Sequence, residues 1–330
     1  MKTDVSFIVL NWHNEPETAE CIESIKNLVG KFRQEIIVVD NESTAASYAL
    51  LSKIKDIKII RNKDNLGFAG GVNSGLRVVK GKYTALINND CVLDKLWLKH
   101  AIKIMQDYKN EAIVGGKEYI WSDGQGPFVA SKNFYAWPKI SPLTGYSMQN
   151  NADMPESPVS NITGSNMLTT TKIIQDLGGF DEDFFAYYED VDLCARALAK
   201  NYSIVYSPRM NIWHKRNVSS NKLPFLKFYL AYRNNYIFVA KSFPSRRWAV
   251  VVLESALKNI YAGSLGLEGG LTALLRGNIT RMEYERRKAY ILAGLWGLYH
   301  WRYLIYKRKQ CISRRENDPN YLVKLKSLQA

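Results

Sequence analysis

The 330-residue sequence predicts an α/β fold, a mostly parallel sheet flanked by helices, with an α-helical C-terminal extension. Three observations predict it. Apolar runs rich in β-formers alternate with amphipathic stretches through the first ninety residues or so. Three of those runs stop on Asn or Asp, and a parallel sheet gathers such ends along one edge, where open α/β folds place their ligands. From Leu223 onward the pattern turns helical and dense in Lys, Arg and aromatic residues.

The first strand is VSFIVLN (5–11), ending on Asn11. An amphipathic stretch from Glu15 to Leu28 follows, with Cys21, Ile22, Ile25 and Leu28 on one face. EIIVVD (35–40) is the second strand and ends at Asp40-Asn41; IKIIRN (57–62) is the third; KYTALIN (82–88) is the fourth and ends at Asn88-Asn89-Asp90. Helical segments separate each pair, so the strands run parallel and their polar ends converge. NKDNLGFAGGVNSGL (62–76) lies between the third strand and its helix. Its glycines let backbone approach a ligand or start a tightly packed helix. Gly67, Gly70, Gly71 and Gly75 do not have GxGxxG spacing and follow the third strand, which argues against a dinucleotide site. GVNSG (71–75) lacks the GxSxG order of a nucleophile elbow.

Composition excludes several classes. With 46% hydrophobic and 12% aromatic residues the chain can bury a large core and is not a disordered protein. Cys21, Cys91, Cys194 and Cys311 show no CxxC pairing, which argues against a zinc site or a disulfide framework and suits a reducing compartment. The N-terminal residues do not resemble a signal peptide, and the longest uncharged apolar run, AYILAGLWGLYHW (289–301), is short of a membrane span. A cytoplasmic protein, peripheral on the inner face of the plasma membrane, is the expectation. The formal charge of +14 is uneven: residues 1–220 carry 25 basic and 25 acidic side chains, residues 221–330 carry 20 and 6. No nucleic-acid recognition motif accompanies the basic region, whose charges are interleaved with bulky apolar residues, so nucleic acid is not the expected partner.

Two acidic clusters carry the chemistry. Asp90, with Asn88 and Asn89 before it, offers oxygen ligands to a hard cation bridging phosphates, and equally a turn and helix cap. In GGFDEDFFAYYEDVDLCARALAKN (178–201), Glu189, Asp190 and Asp192 head a helix whose apolar face is Val191, Cys194, Ala195 and Leu198. Acids there complement the helix dipole, and Asp192, four before Arg196, reads as a surface ion-pair partner. Phe184, Phe185, Tyr187 and Tyr188 also set an aromatic wall beside Glu189 and Asp190, where a carboxylate could accept a proton from an acceptor hydroxyl.

VSFIVLNWHN, VVDN, NLGFAGGVNSGL, INND, GGFDEDFFAYYEDVDL and WHKRNVSS together resemble an inverting family 2 glycosyltransferase of the Rossmann-like GT-A fold, in its bacterial rhamnosyltransferase-like branch. The resemblance runs from about residue 4 to residue 220. It implies a nucleotide-sugar donor, dTDP-rhamnose before a UDP-sugar, and a lipid-linked or polysaccharide acceptor in cell-surface glycan synthesis. It also implies that Asn11 and Asp40 hold the base and ribose, while Asn65, Gly67, Phe68 and Asn73 line the nucleotide pocket. Asn88 and Asn89 would lie against the donor. Asp90 would ligate Mg²⁺ or Mn²⁺ in the DxD position, with His214 close to metal and diphosphate. Asp190, with Glu189 beside it, would be the base. The chain departs from the pattern in carrying one carboxylate at the DxD position and no glycine soon after His214.

Residues 1–220 therefore read as the catalytic domain and 221–330 as a basic, aromatic helical region. Basic residues framing Trp, Tyr and Leu suit an anionic membrane surface, the body of the catalytic domain, or a second copy in a homo-oligomer. Two rival functions are a nucleotidyltransferase and a non-catalytic nucleotide-sugar or glycan-binding protein. The first should carry a Gly-rich basic loop after the first strand, where this chain has NWHNEPET; the second has no need of both Asp90 and Asp190.

Overall fold

The structure, a computed structural model, describes residues 3–109, 111–121, 134–141, 143–150, 153–215, 223–243, 247–264 and 280–315. The strands are β1 (Val5–Asn11), β2 (Gln34–Asn41), β3 (Lys58–Asn62), β4 (Tyr83–Asn88), β5 (Cys91–Leu93), β6 (Ala112–Ile120), β7 (Phe134–Ile140), β8 (Ser147–Asn150), β9 (Ser157–Pro158), β10 (Asn166–Thr170) and β11 (Ser203–His214). The helices are α1 (Glu15–Lys26), α2 (Ala45–Leu51), α3 (Gly67–Leu76), α4 (Trp97–Asp107), α5 (Thr171–Asp176), α6 (Glu189–Ala199), α7 (Pro224–Ser242), α8 (Arg247–Ser264), α9 (Arg281–Tyr299) and α10 (Trp301–Arg315). The four expected strands and the helices between them form where the apolar periodicity placed them.

The sheet runs β3-β2-β1-β4-β10-β6-β11-β5. β3, β2, β1 and β4 are parallel; β10 is antiparallel to both β4 and β6; β6 and β11 are parallel again. Both faces are covered, and side chains alternate between them as a pleated strand requires. Val5, Phe7 and Val9 of β1 and Ile36 and Val38 of β2 join one core with α1 and α4. Ile8, Ile37 and Val39 join the other with α3, α5 and α6. The aperiodic stretch 121–160 contains the hairpin β7–β8.

That second core continues into Tyr236, Ile237, Phe238, Val239, Trp248, Val252, Ala293 and Leu304 of the C-terminal helices. The C-terminal region is thus packed on the α/β part through shared apolar side chains. The expected division between residues 220 and 221 lies outside the described residues. Part of the basic excess is engaged here: Lys241 pairs with Asp181 at 2.6 Å and Asp192 at 2.5 Å, and Lys307 with Asp181 and Asp183. Arg308 donates to the carbonyls of Ala240 and Phe243. Asp192 is consequently not the surface residue its spacing suggests. It is 1% exposed, bonded to Arg196 within its helix and to Lys241 of α7, a partner that local spacing cannot reveal. Among the described residues no helix is long and apolar enough to cross a membrane.

Candidate active site

A cleft of about 600 Å³ opens at the carboxyl edge of the sheet, within the range of small-molecule sites. Asn65, Gly67, Phe68, Asn88, Asn89, Asp90, Glu189, Asp190 and His214 all line it. Sequence separation hides how Asp90 and His214 meet. β5 pairs antiparallel with β11 in a register that sets His214 against Cys91, the neighbour of Asp90. The Lys215 amide also donates to the Asp90 carbonyl at 2.9 Å. His214 Nε2 then lies 3.0 Å from Asp90 Oδ1, and its Nδ1 3.1 Å from Glu118 Oε2.

Glu118 is the functional-site residue that the sequence reading missed. It sits on β6, shares a sheet face with His214, is 2% exposed, and accepts hydrogen bonds from the hydroxyls of Thr163 and Ser165. Its only sequence signal is a charged Lys117-Glu118 pair inside an otherwise apolar strand.

Burial disfavours charge on His214, yet the neighbouring Cys91 sulfur and the Asp90 carboxylate hold its proton well above the ordinary histidine range. Burial pushes the Cys91 thiol up to about 12, so Cys91 stays neutral and Asp90 is the partner that matters. Burial opposes charge on Asp90 too, but the His214 imidazolium beside it wins and lowers its pKa. The imidazolium here compensates two buried carboxylates, the electrostatic position in which a divalent cation serves equally well. A cation that displaced the Nε2 proton of His214 would find an oxygen donor from Asp90 and a nitrogen donor from His214, a set that fits Mn²⁺ or Mg²⁺ better than a soft metal. Cys91, the third potential donor, is a buried thiol and does not suit those ions.

Asp190, in the first turn of α6, lines the same cleft. Its Oδ2 accepts from the Gly164 amide at 3.0 Å and its Oδ1 from the Val191 amide at 2.8 Å. Burial raises its pKa, against those two backbone bonds. Glu189 beside it is raised well above the usual range by burial and then by Asp190, and its Oε2 is buried with no partner among the described residues. Backbone donors stabilise the anion, so Asp190 carries the charge of the pair and Glu189 stays a neutral acid. The segment Thr163-Gly164-Ser165 joins the two groups: its Gly164 amide holds Asp190, and its hydroxyls hold Glu118 behind His214.

The turn before Asp190 has an unusual backbone, with Phe185, Tyr187 and Tyr188 at φ of 64°, 69° and 74°. Gly67 (φ 69°) starts α3 against it: a Cβ on Gly67 would come within 2.3 Å of the Phe185 carbonyl oxygen. The glycine loop is anchored from β2 by Asn41, whose amide donates to Asn65 Oδ1 (2.8 Å) and the Gly67 carbonyl (3.1 Å).

Three predicted site residues do not line the cleft. Asn11 is fully buried and bonded to Asp40, Thr18, Ser47 and Glu15. Asp40 lies beneath, with Oδ1 taken by Asn11 and Ser47 and Oδ2 buried without a partner among the described residues. Asn73 bonds Phe180 through both ends of its amide and also Glu182, clamping α3 to the start of the aromatic segment. Its polar atoms are occupied by the protein, and its position is that of a structural brace.

The family model described as glycosyl transferase family 2 matches residues 6–178. The chain belongs to that family. This glycosyltransferase is 24% identical over 314 residues to the low-salt glycan biosynthesis hexosyltransferase Agl10 of Haloferax volcanii, covering 91% of each chain. It is 30% identical over 158 residues, 48% of each chain, to the N-acetylglucosaminyl-diphospho-decaprenol L-rhamnosyltransferase of Mycobacterium tuberculosis. A third relative, the Escherichia coli glucosyltransferase WfaP, is 34% identical over 26% of this chain and 35% of its own. Among solved structures, the mannosyltransferase PcManGT of Pyrobaculum calidifontis in complex with GDP-Man and Mn²⁺ superposes with a TM-score of 0.53 at 15% identity, over 91% of this chain and 88% of that one. The glycosyltransferase therefore has the GT-A fold and acts in glycan biosynthesis.

Proposed function

We propose that the enzyme transfers a sugar, with inversion, from a nucleotide sugar to a hydroxyl of a lipid-linked or polysaccharide acceptor. One observation carries this reading: the Asp190 carboxylate and the Asp90–His214 pair line a single cleft. Asp190 takes the proton of the acceptor hydroxyl, which attacks the anomeric carbon opposite the leaving diphosphate. Asp90 and His214 would hold Mn²⁺ or Mg²⁺, which when bound neutralises that diphosphate.

dTDP-rhamnose is the first donor to try and a UDP-sugar the second; the rhamnosyltransferase relative supports that order, and the diphosphate-polyprenol acceptors named for it and for WfaP support a lipid-linked acceptor. Binding should be measured for dTDP-rhamnose, UDP-galactose, UDP-glucose, UDP-N-acetylglucosamine and GDP-mannose, with and without Mn²⁺. One donor is expected to bind in a Mn²⁺-dependent way that Asp90→Ala abolishes. Equal binding by the variant would remove Asp90 from the metal site.

The C-terminal region supports contact with an anionic membrane surface. Val250, Leu253, Leu257 and Tyr261 are 44–66% exposed and form one stripe along α8, beside exposed Arg247, Lys258 and, on α9, Arg281 and Arg286. A second copy would bring like charge against like; an acidic leaflet complements it. The chain is expected to sediment with vesicles containing phosphatidylglycerol but not with pure phosphatidylcholine. Leu253→Asp with Leu257→Asp should abolish that, and unchanged sedimentation would exclude the α8 stripe as the contact.

A further inference from the structure

We propose that Asn234, on α7 of the C-terminal region, is a positioning residue for transfer: its amide holds the turn from Phe184 to Tyr188 in the shape that aims Asp190 into the cleft. The proposal rests on the reading of Asp190 as the base.

The turn cannot hold itself. Three bulky aromatic residues sit at positive φ, a conformation that persists only where the surroundings enforce it. The Tyr188 carbonyl accepts the first helical bond of α6, but those of Phe184 to Tyr187 lie before the helix, and buried carbonyls must find donors elsewhere. Each of these four finds one outside the turn. Asn234 Nδ2 lies 2.8 Å from the Phe184 oxygen, 2.8 Å from that of Ala186 and 2.7 Å from that of Tyr187, its two hydrogens shared among the three, and the Phe184 oxygen also receives Arg233 Nη2 at 3.1 Å. The Phe185 oxygen accepts from the Ala69 amide of α3 at 3.0 Å. One face of the turn is thus gripped by the glycine loop and the other by a single fully buried side chain.

The neighbours of Asn234 complete the grip. Arg233 Nε donates to Asn234 Oδ1 at 2.8 Å, fixing the amide so that its NH₂ faces the carbonyls, and Arg233 Nη2 reaches the Asp183 and Phe184 oxygens. Asn235 donates to the Tyr188 hydroxyl at 3.0 Å. Tyr188 is the residue from which α6 begins, and Asp190 lies in the first turn of that helix. A shift of the turn therefore moves the base relative to Gly164 and to the Asp90–His214 pair.

The test uses the full chain with Mn²⁺ and the nucleotide sugar that binds in the panel above. Turnover is compared for wild type, Asn234→Ser, which keeps one donor, and Arg233→Met, which frees the amide to rotate. Rates are expressed per chain that binds nucleotide, so that loss of folded protein does not count as loss of kcat. Asn234→Ser is expected to lower kcat about 100-fold with the donor KM unchanged, as misplacement of a reacting group by about an ångström does. Arg233→Met should fall between the two, and it carries the test if Asn234→Ser does not fold. An unchanged kcat, or a loss confined to KM, would overturn the proposal. Asp190→Asn in parallel separates the two readings: if it keeps its rate, the base assignment itself falls; if only it loses its rate, positioning by Asn234 alone falls.

Discussion

Asp190→Asn is expected to slow sugar transfer by about 10²–10⁴-fold, the range for loss of a positioned general base, while donor and cation binding persist. The amide has the size and shape of the carboxylate and its oxygen can still accept the Gly164 hydrogen bond seen at 3.0 Å, although its NH₂ replaces the acceptor that Val191 uses at 2.8 Å. It also loses the ability to take a proton, which the retained donor and cation binding separates from a disturbed turn. The wild-type pH profile adds a second readout. Burial raises the Asp190 pKa, with Glu118 pushing the same way against the bonds from Gly164 and Val191. Since the base works as the anion, the rate should climb with pH through a limb lying above the ordinary carboxylate value of about 3.9. The residual rate of Asp190→Asn should lack that limb. Transfer at an undiminished rate would end the assignment and turn attention to Glu189.

Lys241→Met is expected to destabilise the fold by about 3 kcal/mol or more, the cost typical of stripping one partner from a buried ion pair. Lys241 is 3% exposed and bridges Asp181 and Asp192; its removal leaves Asp192 with Arg196 alone and Asp181 with Lys307. The pH dependence has a definite sign. Asp181 and Asp192 are both lowered in the folded chain, each against its own burial, by Lys241 first and then by Lys307 or Arg196. Depressed carboxylates stabilise above their unfolded pKa and lose that contribution as pH falls through the folded value. The wild type should therefore weaken below roughly pH 4, and its advantage over Lys241→Met should shrink there. Chemical denaturation at pH 7 and below pH 4 measures both; a constant gap across pH would show that the bridge is not electrostatic.

The parallel half of the sheet was legible because its signals are local. Short continuous apolar runs and polar strand ends sit within ten residues of one another, and the family motifs add their order. Asp90, Asp190 and His214 were gathered into one site by the family resemblance and not by their spacing, because the β5–β11 register that unites Asp90 with His214 joins segments more than a hundred residues apart. Glu118 was not legible, since a lone acid inside a strand gives no spacing to read. Asp192 was misjudged because a correct local pair with Arg196 masked a distant one with Lys241. Asn73 was assigned to the nucleotide pocket by motif, whereas its amide is consumed by Phe180 and Glu182. In the C-terminal region, composition displayed the charge but not its destination: Lys241, Lys307 and Arg308 point inward.

The grip of α7 on the aromatic turn has a consequence for the order in which the chain acquires its shape during synthesis. Tyr187 is made 47 positions before the Asn234 amide that holds its carbonyl, and Asp181 is made 126 positions before Lys307. At about 5–20 residues per second, the ribosome leaves the turn without its clamp for several seconds and the acid without its second cation for longer. The parallel strands can assemble in that interval, since everything they pair with up to β4 is already present. The turn from Phe184 to Tyr188 cannot. A nascent chain halted before α7 would carry Asp190 and Asp90 on a nearly finished sheet and still lack the clamp that aims one at the other, so activity should emerge late in translation.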